Sequence, residues 1–228
     1  TLTVMLKQNH WLLPEGIAEI LPPHASRMEA LSRRLLDLYR GWGYELVIPP
    51  FMEFLESLLT GTGEDLDLQT FKLIDQLSGR LLGIRADTTP QVARIDAHNL
   101  KRTVPTRLCY LGPVLHARPE SSGGTRCPLQ VGAELYGHQG VESDSEVLAL
   151  MLETLNVAGI EGVHVDIGHV GVYQGIIRQA GLKETQQREL FDVLQRKASS
   201  ELKFLITSWA LPKKTGVISP ACTAAASN

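Results

Sequence analysis

A chain of 228 residues is long enough to form one large domain or two small ones. Hydrophobic residues make up 43% of it and charged residues 21%, which is typical of a soluble globular protein. No apolar run approaches the ~20 residues that a membrane-spanning helix needs, so we expect no membrane contact. The formal net charge of −3 does not indicate the basic surface that nucleic-acid-binding proteins carry.

The cysteines and histidines do not indicate a disulfide framework or a metal site. Cys109, Cys127 and Cys222 are widely spaced and odd in number, which favours a reducing compartment, and we predict a cytoplasmic protein. The seven histidines include no HxxxH pair and have no cysteine pairs nearby. We therefore expect no bound metal and no cofactor.

The first hundred residues predict a mixture of helices and strands. A capping box at Ser26 and Glu29 precedes apolar residues at helical spacing, which continue to Trp42. The next predicted elements are a strand, a hairpin and a helix start, at residues 44–48, 70–85 and 88–90.

After residue 137 the sequence predicts mainly helices. A second capping box, at Ser143 and Glu146, opens an apolar stripe. A strand at 163–167 and helices at 172–180 and 183–198 follow. From Ser199 onward the sequence has no clear period and ends in small residues. We therefore predict a main domain of residues 1–198 and an atypical, weakly ordered tail of residues 199–228.

Two strands joined by a flexible loop occupy the centre of the sequence, at residues 107–137. Side chains alternate along the second strand, so Gln130, Gly132, Glu134 and Tyr136 share one face. A buried polar group costs free energy unless it is hydrogen-bonded, so Gln130 and Glu134 need partners. A ligand is one such partner, and the alternatives are an internal core pair and a position on an exposed edge strand.

A second polar group lies where a predicted strand runs into a predicted helix, at Arg85–Pro90. Asp87 can hold an ammonium group, and Thr89 can accept or donate a hydrogen bond beside it. On the residues alone, helix capping is the simpler interpretation of both. His116, Arg118 and Arg126 lie in or near the loop, and we interpret them as solvated charges, not as the fixed cation that an ATP phosphate requires.

Several of these segments resemble signature motifs of the class II aminoacyl-tRNA synthetases. Residues 28–50, with their helix, Gly-Tyr, strand and proline, resemble motif 1, which builds the homodimer interface in that family. Leu111-Gly112-Pro113 and residues 130–137, QVGAELYG, resemble motif 2 of the histidyl enzymes. The resemblance implies a homodimer and an α/β (α+β) fold like the synthetase catalytic domain, with a mainly antiparallel sheet flanked by helices.

The chain departs from the active enzymes at the positions that handle ATP. Those enzymes carry Arg-x-Glu at the start of the motif 2 loop, to hold the α-phosphate and the adenine, whereas residues 115–118 here read Leu-His-Ala-Arg. Motif 3, with its arginine, has no counterpart before Asn228. The departures imply that the chain has no catalytic residues, does not adenylate histidine and does not bind tRNA.

The segment Arg85–Pro90 reads Arg-Ala-Asp-Thr-Thr-Pro and stands where the histidyl enzymes carry Arg-Pro-Glu-Gly-Thr. In those enzymes the Glu and Thr hold the amino group of histidine. The Gln and Glu of motif 2 contact the amino group and the imidazole ring. Matched residue by residue, the resemblance implies a site for free histidine at Asp87, Thr89, Gln130 and Glu134.

The same segment, with Gln91–Arg94 after it, resembles the regulatory subunits of ATP phosphoribosyltransferase, a synthetase-like family without ligase activity. This implies a regulatory protein of histidine biosynthesis that assembles with a short-form catalytic subunit in a hetero-oligomer. Such a protein is required for the activity of that subunit and senses histidine allosterically. A fragment of a histidine–tRNA ligase and a scaffold that binds no amino acid are the alternatives.

Overall fold

The computed structural model describes residues 11–61, 64–119, 121 and 123–209, and the chain divides after Val163 into two compact units. In the first unit the strands are β1 (Glu45–Leu46), β2 (Met52–Phe54), β3 (Phe71–Ile74), β4 (Leu81–Ile84), β5 (Thr106–Pro113) and β6 (Leu129–Tyr136). Its helices are α1 (His24–Gly41), α2 (Leu55–Leu58), α3 (Glu64–Gln69), α4 (Thr89–Arg94), which continues as a π-helix over Ile95–Leu100, and α5 (Val141–Val157).

The described strands form two three-stranded sheets, and the one with the longer strands has β5 at its centre. This strand pairs with β1 in parallel and with β6 antiparallel. The register between β5 and β6 is continuous over all of β6, and it sets Tyr110 opposite Gly132 and Leu108 opposite Glu134. The two strands whose residues resemble motif 2, β5 and β6, therefore form one hairpin.

Helices cover both faces of this hairpin. On one face, Tyr39 of α1 and Leu150 of α5 are buried together with Cys109 of β5. On the other face, Val92 of α4 is fully buried against Leu108 and Tyr110. The second face also carries the polar side chains of β6, so that α4 and these polar residues lie on the same side of the sheet.

The smaller sheet has the strand order β2-β4-β3, and both of its pairings are antiparallel. The predicted hairpin is confirmed, since β3 and β4 pair along their whole length. Phe71 is opposite Ile84 at one end, and Ile74 is opposite Leu81 at the other. Among the described strands, the β1–β5 pairing is the parallel one and the others are antiparallel. The prediction of a mainly antiparallel sheet flanked by helices is thereby confirmed.

Both predicted capping boxes lie inside the helices they were expected to open. Helix α1 begins at His24 and α5 begins at Val141, so that Ser26 and Ser143 fall within the first turns. The Ser143 hydroxyl instead pairs with His138 Nδ1 at 2.5 Å. A capping pattern locates a helix to within one or two residues, because the first turn can extend when the preceding backbone allows it.

The strand predicted at 163–167 is wrong, and the one predicted at 44–48 is shorter than expected. Val163 and Ile167 are 39% and 78% exposed, and no described strand pairs with this segment. A strand needs a neighbouring strand for its backbone hydrogen bonds, which an apolar alternation does not supply. The strand predicted at 44–48 has only two residues in the structure, those of β1, because Glu45 and Leu46 alone pair with β5.

The second unit, described for residues 164–209, contains α6 (Val170–Ala180), α7 (Glu184–Gln195) and α8 (Ser199–Ser208). The helices predicted at 172–180 and 183–198 are confirmed as α6 and α7, with small differences at their ends. Its buried core consists of Leu182, Leu190, Val193, Leu202 and Leu205.

The expectation of an irregular tail from Ser199 is wrong for residues 199–208, which form α8. Leu202 and Leu205 are buried with the leucines of α7. The helix has 10 residues, and its apolar side chains are confined to one short run, at Leu202, Phe204, Leu205 and Ile206, so no helical period is visible in the sequence. Residues 210–228 of the expected tail lie outside the described residues, and the division of the chain after Ala198 stays a prediction.

Replacement of Leu150 by alanine is expected to lower the free energy of unfolding by about 2–5 kcal/mol, because its side chain fills the space between α5 and the sheet. Leu150 is 2% exposed, whereas the neighbouring Met151 is 40% exposed. Met151→Ala is therefore the matched control, and it should change the free energy of unfolding by under ~1 kcal/mol. Urea denaturation followed by circular dichroism measures both. Equal losses for the two variants would contradict this description of the core.

Candidate ligand-binding site

Arg85 holds the segment between β4 and α4 against the end of β5. Its buried guanidinium donates from Nε to the backbone oxygen of Pro113 at 2.8 Å and from Nη1 to that of Pro49 at 3.0 Å. Burial lowers the pKa of this guanidinium. Gly112 leaves room for it, since a Cβ at that position would lie 2.5 Å from Arg85 Nη2. Arg85 therefore positions the residues that follow it.

Asp87 and Gln130 are hydrogen-bonded to each other between α4 and β6. Gln130 Nε2 donates to Asp87 Oδ1 at 2.7 Å, and Gln130 Oε1 accepts from the Thr88 backbone N–H at 2.9 Å. Asp87 Oδ1 also accepts from the Thr89 backbone N–H, the first of α4, at 3.1 Å. The N-cap residue is Thr88, whose side chain makes no capping hydrogen bond, so Asp87 contacts the helix start from the residue before the cap. It also contacts the strand that carries the other predicted site residues.

Thr89 and Glu134 form a second pair, and Tyr110 joins them. The Thr89 hydroxyl donates to Glu134 Oε1 at 3.0 Å and lies 3.1 Å from the Tyr110 hydroxyl. Either hydroxyl can be the donor in the contact between Thr89 and Tyr110, since each carries one proton and can also accept. Asp87, Thr89, Gln130 and Glu134, the four residues predicted from the sequence, are therefore brought together in one chain of contacts.

Tyr110 is the site residue that sequence reasoning missed. Its ring crosses over β6 at Gly132, where a Cβ would lie 2.4 Å from the Tyr110 hydroxyl oxygen. The glycine in the middle of this strand is consequently required by the close approach of the ring. A glycine between two polar residues on one strand face was the available signal, since an isolated glycine in a strand often marks such an approach.

The electrostatics of the site favour a positively charged partner. Burial raises the pKa of Glu134, and the nearby Asp87 charge raises it further, against the hydrogen bonds from Thr89 and Tyr110 that lower it. Burial also raises the pKa of Tyr110 to about 12, so that its hydroxyl keeps its proton at neutral pH. A ligand that brings a cation or an N–H donor relieves the repulsion between these two half-buried carboxylates.

Two cavities meet at Asp87. One, of about 730 Å³, lies under the loop between β5 and β6, and its lining includes Gln130 and His116. The other, of about 850 Å³, lies against α4, and its lining includes Thr89 and Arg94. Asp87 lines both cavities. The ammonium group of a ligand can therefore approach this carboxylate from either side.

The charged residues of the β5–β6 loop are not all solvated as expected. His116 is buried, with Nε2 3.0 Å from the backbone oxygen of Ala86. Arg126 donates to the backbone oxygens of His116 at 3.1 Å and Glu15 at 3.3 Å. The expectation holds for Arg118, which is exposed. It is wrong for the other two, because the arms of the loop continue the hairpin and pack these side chains against neighbouring backbone.

In the part of the chain that the structure describes, no group of three or more histidine, cysteine, aspartate or glutamate side chains is arranged to hold a metal ion. No helix among the described residues is long and apolar enough to cross a membrane.

Known proteins resemble this chain over most of its length. Two ATP phosphoribosyltransferase regulatory subunits are similar to it: that of Thioalkalivibrio sulfidiphilus is 60% identical over 208 residues and that of Alkalilimnicola ehrlichii 59% identical over 205 residues. These alignments cover 91% and 90% of this chain but 53% and 51% of the relatives. The chain thus spans about half the length of the curated relatives it matches.

Solved structures agree with this similarity. The crystal structure of an ATP phosphoribosyltransferase regulatory subunit/histidyl-tRNA synthetase from Bacillus halodurans superposes with a TM-score of 0.82 at 30% identity, over 92% of this chain and 54% of that one. A histidyl-tRNA synthetase from Nostoc sp. PCC 7120 has a TM-score of 0.71 at 18% identity, over 90% of this chain and 46% of that one, which shows a shared fold.

The model of the family described as histidyl-tRNA synthetase matches residues 16–224, a range that runs past Ala198 into the tail that we expected to be atypical. The class II synthetase-like fold that the sequence resemblance implied is therefore confirmed. The chain belongs to the histidyl-tRNA synthetase family.

Proposed function

We propose that this chain acts as a regulatory subunit of ATP phosphoribosyltransferase in histidine biosynthesis and binds free histidine without catalysing a reaction. The contact chain through Asp87, Gln130, Thr89 and Glu134 carries this proposal. It joins the four positions that match the amino-acid site of the histidyl enzymes. The similarity to named regulatory subunits over 91% of the chain supports the regulatory role.

Histidine offers two donor groups that suit this site. Its ammonium group is placed at Asp87 and Gln130, where a carboxylate oxygen and an amide oxygen can accept from it. Its imidazole ring is placed at Glu134, which accepts from a ring N–H. Asp87 Oδ2 has no hydrogen-bond partner among the described residues, so a ligand ammonium can bind there without breaking the contact with Gln130.

The loop between β5 and β6 supports the absence of adenylation. No arginine or lysine is among the described residues that line the cavity under it. The guanidinium groups of Arg85 and Arg126 donate to backbone oxygens. An ATP phosphate requires a fixed cation that faces it, because negative charge develops there in the reaction.

The partners in this proposal are a second copy of the chain and a short-form catalytic subunit. An apolar groove of about 450 Å³ lies along α1, with Ile20, Met28 and Leu36 in its lining, and it belongs to the region that resembles motif 1. This surface suits a homodimer within the hetero-oligomer. No tRNA and no membrane take part, and we place the protein in the cytoplasm.

Glu134→Gln should weaken histidine binding by roughly ten- to a hundredfold, because a charge-assisted hydrogen bond contributes about 1.5–3 kcal/mol. Its melting temperature at pH 7 should stay unchanged or rise. The folded pKa of Glu134 lies above its unfolded value, so the ionised side chain destabilises the fold once the pH exceeds the folded pKa. Glutamine removes that charge and still accepts from Thr89. Calorimetric titration and thermal unfolding measure the two effects.

The matched control is Glu161→Gln, which changes the same group at an exposed position. It should leave histidine affinity as it is in the unaltered protein. A lower melting temperature of Glu134→Gln together with unchanged histidine affinity would mean that Glu134 is an internal structural residue.

Histidine-dependent exchange between ATP and pyrophosphate should be undetectable with the purified chain, since no described cation faces the cavity under the β5–β6 loop. An active histidyl-tRNA synthetase in the same assay is the positive control. An exchange signal that scales with the amount of this chain would favour the histidine–tRNA ligase alternative.

Mixing the chain with a short-form ATP phosphoribosyltransferase catalytic subunit should raise the rate of that subunit and make it sensitive to histidine. Allostery requires that ligands at two sites bias shared states, so Glu134→Gln should still activate but should reduce the response to histidine. Steady-state rates at several histidine concentrations measure both. A rate and a histidine response that do not change on mixing would contradict the regulatory role.

A further inference from the structure

Helix α5 carries apolar side chains on two opposite faces. On the inner face Leu150 is buried, the Trp42 indole donates to Glu153 at 2.9 Å, and the Thr154 hydroxyl lies 3.3 Å from that of Tyr39. These contacts fix the rotation of the helix about its own axis. They therefore determine which of its side chains point away from the sheet.

The outer face of α5, opposite Leu150, carries a row of apolar side chains at spacings of three, four and seven residues: Val141, Leu148, Met151, Leu152 and Leu155. We call this row the outer stripe. Val141 is 70% exposed, Leu152 is 42% exposed and Met151 is 40% exposed. A single exposed apolar side chain is ordinary, but a contiguous row of them indicates a surface that another molecule covers.

The spacing of the outer stripe fits a second helix. Val141, Leu148 and Leu155 recur every seven residues, which is the repeat with which one helix packs along another. At 1.5 Å per residue, the stripe runs about 21 Å along α5 between the first and the last of them. A partner helix of about four turns covers that length.

The charged residues of α5 are all acidic, and the helix contains no lysine or arginine. Glu146 and Glu153 are turned inward, where each has hydrogen-bond partners. Glu142 and Asp144 are exposed in the first turn, and Asp144 lies on the same side of the helix as the outer stripe. A partner with basic side chains beside its apolar ones would complement this surface.

A symmetric contact with a second copy of the chain does not supply such a partner. In it, α5 would pack against α5, and neither helix has a basic residue to set against Glu142 and Asp144. The groove along α1, lined by Met28 and Leu36, is the surface that suits the second copy. The outer stripe is thus left for a different protein.

We propose that the outer stripe of α5 is the docking surface for a helix of the short-form catalytic subunit, one that presents apolar side chains flanked by lysine or arginine. This inference rests on the proposed regulatory function and names the surface through which the partner binds. Packing on the outer stripe supplies most of the affinity. Attraction between the acidic residues of α5 and the basic residues of the partner raises the association rate.

The first test is Leu152→Glu, which places a charge in the middle of the outer stripe. Its affinity for the purified catalytic subunit, measured by calorimetry, should fall roughly tenfold or more, because apolar residues at the centre of an interface carry most of the binding energy. Leu77→Glu is the matched control, since Leu77 is 97% exposed in the turn between β3 and β4. It should leave the affinity unchanged.

The second test reverses a charge without touching the apolar row. Asp144→Lys should lower the association rate at low ionic strength by roughly two- to tenfold, and the difference should shrink as salt is added, because salt screens exposed charges. Glu189→Lys, the same reversal at an exposed position of α7, is the control. An association rate that is equal in Asp144→Lys and the unaltered chain would overturn the basic character of the partner helix.

The remaining outcomes separate this inference from the proposed function. Equal affinity of Leu152→Glu and the unaltered chain overturns the docking surface, while activation of the catalytic subunit by the unaltered chain would still support the regulatory role. A change from dimer to monomer in Leu152→Glu, seen by light scattering, would assign the outer stripe to a second copy and also overturn it.

A melting temperature of Leu152→Glu well below that of Leu77→Glu would mean that the outer stripe is covered within the chain itself, which overturns the proposal as well. If the unaltered chain does not bind the catalytic subunit at all, the proposed function fails, and this inference fails with it.

Discussion

The register of β5 against β6 is the constraint on which the candidate site depends. It sets Tyr110 opposite Gly132, so that the Tyr110 ring crosses the strand between Gln130 and Glu134. A slip by one residue would turn every side chain of β6 to the other face, towards α1 and α5. The polar residues would then lie in an apolar core without Asp87 or Thr89 as partners. One strand pairing therefore determines both the packing of the sheet and the chemistry of its second face.

The contact chain from Gln130 to Glu134 is compatible with both interpretations of these residues, an internal structural role and a ligand site. In the described structure Asp87 accepts from the first backbone N–H of α4 and from Gln130, and the Thr89 hydroxyl donates to Glu134. These internal hydrogen bonds stabilise the half-buried carboxylates when no ligand is present. The raised pKa of Glu134 nevertheless shows that burial is incompletely compensated. The proposed ligand, with its N–H groups, would relieve this remaining cost at residues that already contact one another.

In the loop between β5 and β6 two basic residues take structural roles beside the proposed histidine site. Arg126 bridges the loop to the segment before α1, where a Cβ on Gly16 would lie 2.8 Å from the arginine side chain. His116 is buried against Ala86. Both side chains stabilise the base of the loop, and neither is aimed at a phosphate. This arrangement agrees with a regulatory protein in a family of synthetases.

The sequence by itself determined the helices with long apolar stripes and the hairpin, because periodicity and local motifs are encoded in neighbouring residues. Its resemblance to the histidyl enzymes selected Asp87, Thr89, Gln130 and Glu134 as the residues of the proposed histidine site. Only the tertiary structure decided that 163–167 is not a strand, that α8 packs with α7, and that the Tyr110 ring crosses β6 beside Glu134. Strand pairing, burial and the partner of a hydroxyl depend on residues far apart in the chain. No local pattern reports which of those distant residues will meet.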